Sequence, residues 1–434
     1  MRRFDWSALS ADERAAALAR PAQRTDARVR DVVRRIFDEV EAQGEAAVVR
    51  WSNELDGAPP RRLDVASAFR RIESAVDPAD LEALRFAADN IRRFHSETAP
   101  SAGPSVQTTQ GVRSQRVWRP IRTAGLYAPG GTAPLFSTVL MLAIPAAVAG
   151  VPNRVAVTPP SKDGPHPMMI AAAALSGLEE LWLVGGAQAI AALTFGAGAP
   201  KADKLFGPGN AYVAEAKRYA AELPGGPGID LPAGPSELLV VADAEADPRL
   251  VAADLLSQAE HDREAQVIFV TPDAALVEQV AAEVERQIAT LPRAAIARDA
   301  LRHAAAIAVR SLEEAAEVAN LYGPEHLSLN VADPDALVEG ITSAGAVFMG
   351  PYAAETFGDY VTGPSHVLPT DGAARCWDGI SVTSFMTSFT VQQVSRAGAA
   401  RMAPAAARLA RLEGLEAHAR AADLRSTEVE AAAI

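Results

Sequence analysis

From about Arg122 to about Met349 short apolar runs alternate with helical stretches, twice over, and this alternation restricts the fold more than any other feature. GLYA, NRVAVTPP, LEELWLVGG and DKLFGPGN are each followed by a helical stretch, beginning near Pro134, Pro167, Gln188 and Asn210. After the Gly- and Pro-rich LPGGPGIDLPAGPSE the series restarts with ELLVVAD, AQVIFVT, AAIAVR, HLSLNV and GAVFMG, with helices expected over residues 250–258, 273–288 and 312–321. Strands separated by helices form crossover units and therefore parallel sheets. The expected fold class is α/β, with two Rossmann-like parallel-sheet domains, read as a duplication, between an N-terminal helical segment and a helical C-terminal tail. Expected domains are residues 1–115 (helical), 116–232 (first α/β), 233–375 (second α/β) and 376–434 (tail). The tail, read as helical from about Phe385, has too little apolar bulk to stand alone and should pack on another surface, such as a partner subunit.

The run from Thr123 to Asn153 contains no charged residue and is long enough to span a membrane. Pro129, Gly130, Gly131, Pro134, Pro145 and Gly150 instead divide it into strand, turn and helix, which suits a buried α/β segment. A net charge of -13 without a basic stripe excludes nucleic acid as an expected partner. Cys376 is the only cysteine, so a disulfide framework and a thiolate metal site are excluded, and a cytoplasmic location is expected. The basic N-terminus lacks a continuous apolar stretch and does not read as a signal peptide.

Ligands of doubly wound sheets gather at the carboxyl ends of strands, which directs attention to polar and glycine-rich turns after apolar runs. GLYAPGGTAP, LVGGAQAIAAL and LFGPGNAYVAEAKR carry glycines just before helices, where backbone N–H groups can meet a ligand, yet none is a dinucleotide fingerprint and glycine also serves tight strand ends. In DLLSQAEHD, Gln258 and His261 are three apart and share a helical face, so an amide oxygen and an imidazole can converge on one ion, although a surface histidine fits as well. Glu325 and His326 stand side by side where YGPEHL turns into a strand, a pairing used in acid–base chemistry. Asp359, His366, Glu413 and His418 place further carboxylate and imidazole groups in irregular or helix-end positions; His95, His166 and His303 are given no role.

AGLYAPGGTAPLFSTVLMLAIPAAVAG, VGGAQAIAAL, FGPGNAYVAEAKR, IDLPAGPSELLVVAD, DLLSQAEHD, YGPEHL, GDYVTGPSHVLPT and EGLEAHA, in this order, resemble the histidinol dehydrogenase family from about residue 25 to the C-terminus. The resemblance implies NAD-dependent oxidation of L-histidinol through L-histidinaldehyde to L-histidine, the last steps of histidine biosynthesis, by a homodimer with one zinc per subunit. It implies zinc ligands Gln258, His261, Asp359 and His418, the last from the other subunit, and a catalytic pair of His326 for the substrate hydroxyl proton and Glu325 for water. The zinc ligands, His326, Ser236, His366 and Glu413 would contact substrate, and Tyr127, Gln188 and Asn210 would contact NAD.

Three places depart from the family pattern: Asp262–Arg263 replaces a usual Gly-Pro pair, Ser365 replaces a common Asn, and SVTSFMTSFTVQQVS lacks a basic pair. These bear on fine substrate contacts. The alternative is a related enzyme oxidising another polar alcohol such as a sulfonated diol, against which Glu413 and His418 speak; a zinc-binding protein without catalysis is opposed by Glu325 and His326.

Overall fold

The computed structural model describes residues 1–20, 27–130, 135–161, 164–231 and 234–430. The chain forms two units, Met1–Thr98 with Ile121–Phe385, and Ala99–Pro120 with Met386–Ile434.

The first unit contains two six-stranded sheets. One runs in spatial order Arg61–Asp64, Glu180–Leu183, Asn153–Thr158, Thr123–Tyr127, Lys204–Phe206, Gly228–Ile229. The other runs Arg2–Asp5, Ala305–Ala308, Gln266–Thr271, Glu237–Ala242, His326–Asn330, Ala346–Met349. Setting aside the edge strand that the N-terminal segment lends to each, both sheets have the order third, second, first, fourth, fifth in their own chain sequence. Every pairing is parallel except that of Arg61–Asp64 with Glu180–Leu183. Two halves with one winding order are the duplicated α/β architecture expected from the alternation.

The strand Glu237–Ala242 shows why these runs become central strands. It is buried at every position; Leu238, Val240 and Ala242 enter one core cluster, and Leu239 and Val241 the other. A period of two with both faces apolar is what a parallel sheet covered by helices demands. The helices carry their own boundaries. Pro248–Ala259 opens with Pro248 after Asp247, whose carboxylate accepts the Arg249 N–H at 2.8 Å. Leu312–Tyr322 is capped by Ser311 and stopped by Gly323 at a φ of 62°.

The charge-free run resolves into the buried strand Thr123–Tyr127 and the helix Phe136–Val148, buried from Ser137 to Ala146. Among the described residues no helix is long and apolar enough to cross a membrane. Pro134, where this helix was expected to begin, lies outside the described residues. Helices Ala27–Gln43 and Glu45–Leu55 pack Val33, Ile36, Phe37 and Trp51 against Ile190 and Val213 of the first half.

The second unit has an antiparallel sheet of Met386–Val394, Val112–Pro120 and Val106–Thr109, and two helices, Arg396–Leu412 and Glu416–Glu430. The tail is therefore not helical from Phe385 onward. MTSFTVQQV is rich in β-branched and aromatic residues and pairs along its whole length with Val112–Pro120, so strand pairing takes this segment and helix begins only at Arg396.

Candidate active site

A cavity of about 150 Å³ opens in the first unit, and Ser236, Gln258, His261, Glu325, His326, Asp359 and His366 all line it, together with Thr138, Gly207 and Lys217 of the first half. Residues spread over the second half of the sequence thus meet in one place.

Glu325 and His326 are there because Gly323 ends a helix in the left-handed region and His326 opens a buried strand. The His326 Nδ1 lies 3.0 Å from the Glu237 carbonyl oxygen, which can only accept, so Nδ1 carries the hydrogen and the neutral ring has its lone pair on Nε2. Burial lowers the pKa of this imidazole, against the opposing pull of Asp359, and keeps the ring neutral. Its Nε2 stands 3.9 Å from Asp359 Oδ1. Glu325 Oε2 accepts the Glu237 N–H at 2.8 Å. Burial, reinforced by the carboxylates of Glu237 and Asp359, pushes the Glu325 pKa well above the usual range.

Gln258 lies in the last turn of Pro248–Ala259, fully buried, with neither amide atom hydrogen-bonded. His261 follows the helix end, its N–H donating to the Gln258 carbonyl at 3.2 Å, and its Nε2 stands 3.7 Å from Asp359 Oδ2. An orphaned buried amide beside an imidazole and a carboxylate is a set of N and O donors suited to a borderline divalent cation such as zinc. Among the described residues no group of three or more His, Cys, Asp or Glu side chains could hold a metal. His366 donates from Nδ1 to the Asp359 carbonyl at 2.8 Å, and its Nε2 is 3.3 Å from the Thr138 hydroxyl.

Two of the three departures in sequence have local explanations. Asp262 Oδ1 accepts the Glu264 N–H at 2.9 Å and closes the turn after His261, while Arg263 pairs with Asp299. Ser365 is buried and accepts the Val367 N–H at 3.2 Å, doing the turn-closing work of an Asx-type residue.

Tyr127 and Gln188 stand at the carboxyl edge of the first sheet. The Tyr127 hydroxyl accepts the Gly186 N–H at 3.2 Å, and burial pushes its pKa up to about 12. Gln188 donates to Asp56 Oδ2 at 3.0 Å, and its buried carbonyl oxygen has no partner. Asn210 caps the helix Ala211–Glu222, accepting from Tyr212 and Val213 N–H at 3.0 and 3.2 Å. Glu413 and His418 belong to the second unit, at the end of one helix and the start of the next, both exposed, and are not among the residues lining the cavity.

Sequence reading missed three groups. Glu355, almost fully buried, places Oε1 3.5 Å from His326 Nδ1 with no hydrogen bond, and burial drives its pKa well up. Asp56 accepts the Gly185 N–H at 3.0 Å and so occupies the start of the helix Gly186–Phe195. The buried pair Lys217–Asp230 fixes the Gly207 turn, with Lys217 donating to the Gly207 carbonyl at 2.8 Å and Asp230 accepting the Gly207 N–H at 2.7 Å.

Two doubly wound halves enclosing a cleft with a neutral imidazole, a buried carboxyl and a convergent set of metal-type donors define a two-sheet α/β enzyme. The family model described as histidinol dehydrogenase matches residues 18–426. A histidinol dehydrogenase of Xanthomonas oryzae pv. oryzae is 46% identical over 428 residues, covering 98% of this chain and 99% of its own. That of Shigella sonnei is 44% identical, with 97% of both chains covered. The crystal structure of histidinol dehydrogenase from Elizabethkingia anophelis superposes with a TM-score of 0.95 at 39% identity, covering 99% of each chain. The chain belongs to the histidinol dehydrogenase family, and it is an oxidoreductase acting on a small molecule.

Proposed function

We propose that the protein oxidises L-histidinol through L-histidinaldehyde to L-histidine, delivering two hydrides to NAD, as a cytoplasmic homodimer with one zinc per subunit. The observation that carries the reading is the neutral His326 ring, held by the Glu237 carbonyl so that the Nε2 lone pair faces the cleft shared with Gln258, His261 and Asp359.

In the first oxidation His326 Nε2 takes the substrate hydroxyl proton; NAD, when bound, would supply the acceptor for the carbinol hydride. In the second, Glu325 takes a proton from the water that adds to the aldehyde, and the hydrate gives up the second hydride. The raised pKa of Glu325 makes its ionised form the stronger base.

Gln258, His261 and Asp359 would hold zinc, with His418 supplied by a second copy of the chain. Their fit rests on the unpartnered Gln258 amide and on the absence of thiolates from the set. When bound, the ion would fix the substrate through its ring nitrogen and amino group, selecting an imidazole-bearing amino alcohol. Ser236, His366 and Glu413 would complete the substrate contacts. Tyr127, Gln188 and Asn210 would hold NAD in turns that a side chain would block: a Cβ at Gly207 would meet the Tyr127 carbonyl at 2.0 Å. Asp56 already faces the start of Gly186–Phe195, so that end is not where a phosphate would sit. Exposed Leu409, Leu412 and Leu424 on the two tail helices support assembly with a second copy.

The test is absorbance at the NADH band with L-histidinol, a sulfonated diol and a simple alcohol in parallel. Two NADH per L-histidinol and little from the others is the expected result; a preference for the diol overturns the substrate assignment.

A further inference from the structure

Glu237 holds both members of the proposed catalytic pair through its main chain. Its N–H donates to Glu325 Oε2 at 2.8 Å and its carbonyl accepts from His326 Nδ1 at 3.0 Å. Its buried side chain is clamped in turn. Arg20 donates to Oε1 from Nε at 2.5 Å and to Oε2 from Nη2 at 2.9 Å, and the Asp371 N–H donates to Oε1 at 2.8 Å. Arg20 is itself fixed, lying 3.9 Å over the Tyr322 ring and donating to the Tyr322 carbonyl at 3.0 Å. Asp371 adopts a φ of 56°, the one positive φ among the described non-glycine residues, a turn conformation that Asp tolerates better than most side chains.

Packing alone does not call for this arrangement. Glu237 opens a strand that is otherwise apolar, and a buried ion pair is commonly no more stable than apolar residues of the same shape. What the clamp does provide is a fixed peptide on either side of one Cα: the N–H that orients Glu325 and the carbonyl that selects the His326 tautomer.

We propose that Arg20 is a positioning residue for Glu325 and His326, acting through the Glu237 side chain to fix the main-chain groups that hold them. The inference rests on the acid–base roles proposed for that pair. Freeing Glu237 lets the carbonyl drift from Nδ1, the ring then exchanges tautomers, and Nε2 carries a hydrogen for part of the time.

The test uses R20M, R20K and the double variant R20M/E237M, which leaves no buried charge bare and so keeps folding and positioning separable. Expected for R20M is a fall in kcat of about 10- to 100-fold with little change in KM, the scale set by small misplacements of reacting groups. Zinc content and NAD affinity stay at the parent level. In ¹⁵N-histidine spectra the His326 ring moves from a fixed Nδ1–H form to a tautomer mixture, R20K recovers part of the rate, and R20M/E237M is folded and slow. In an H326N background R20M costs little more, because the two changes act on one step. An R20M enzyme with parental kcat and an unshifted His326 ring overturns the positioning role, as does an equal loss from R20M with and without His326. Full activity of H326N alone would instead remove the acid–base reading beneath it.

Discussion

Replacing His326 with Asn isolates the proposed base. The Asn side-chain nitrogen can take the place of Nδ1 and keep the donation to the Glu237 carbonyl, now 3.0 Å, while nothing remains where Nε2 stood. Substitute bases are poorly placed. Asp359 Oδ1 is 3.9 Å from Nε2 and committed to the proposed metal, and Glu325 is 3.6 Å from the opposite ring nitrogen. The loss should therefore fall well inside the range for a positioned base, about a thousandfold in kcat with L-histidinol, or roughly 4 kcal/mol of barrier. Because burial lowers the His326 pKa below 6.5, the parent's kcat/KM should be level above that pH and fall only as the ring gains a proton on the acid side. H326N should lose this acid limb. NADH formation is followed in single-turnover mixing with L-histidinol and, separately, with L-histidinaldehyde, whose oxidation depends on Glu325 and should be hurt less. A kcat within fivefold of the parent, or a loss of bound metal along with activity, would refute the role given to Nε2.

Gln258→Leu should abolish zinc binding, read by metal analysis, yet leave the metal-free protein as stable or more so, since a buried amide without partners costs about 1–3 kcal/mol. His95 is fully buried, both ring nitrogens are unpartnered, and its pKa is pushed down to about 4 from 6.5. The unfolded chain therefore takes the proton first as pH falls from 6.5, and stability declines toward pH 4 by roughly 3 kcal/mol; denaturant titrations of His95→Leu should show that slope removed. Gly207→Ala puts a Cβ 2.0 Å from the Tyr127 carbonyl at a φ of 111°, so NAD affinity measured by calorimetry should drop at least tenfold, with about 2–4 kcal/mol of stability lost.

The central strands were legible because ELLVVA and QVIFVT are continuous apolar runs that only a covered parallel sheet can bury on both faces. The strands RRFD and RRLD were not. Each carries two arginines and pairs along one side only, so its place is decided by the free edge of its neighbour, Ala305–Ala308 or Glu180–Leu183, and not by its own pattern. In the site, Lys217 and Asp230 line the cleft and were missed, whereas Gln258, His261, Glu325, His326, Asp359 and His366 line it and were legible in motifs. Glu237 and Arg20, which act through main chain and across 217 residues of sequence, were not. Glu355 had a readable signal: it lies four residues before Asp359, which puts both carboxylates on one helical face.

The rule that directs attention to carboxyl ends of strands does not describe where the cleft residues of the second half lie, and the reason is electrostatic. Tyr127 ends a first-sheet strand, and Gln188 and Asn210 lie at the starts of helices that follow two others. Glu237 and His326 are instead the first residues of their strands, and Gln258 and His261 stand at the end of the helix that precedes Gln266–Thr271. The amino edge of a parallel sheet is where its helices finish, presenting carbonyl ends with partial negative charge. That edge favours a cation, while the carboxyl edge favours a neutral or anionic ligand. On the proposed function, one duplicated unit is used by opposite edges, the first half cradling NAD and the second half holding the cation. The same donors moved to the carboxyl edge of the second sheet would face helix N-termini and oppose the ion they are proposed to bind.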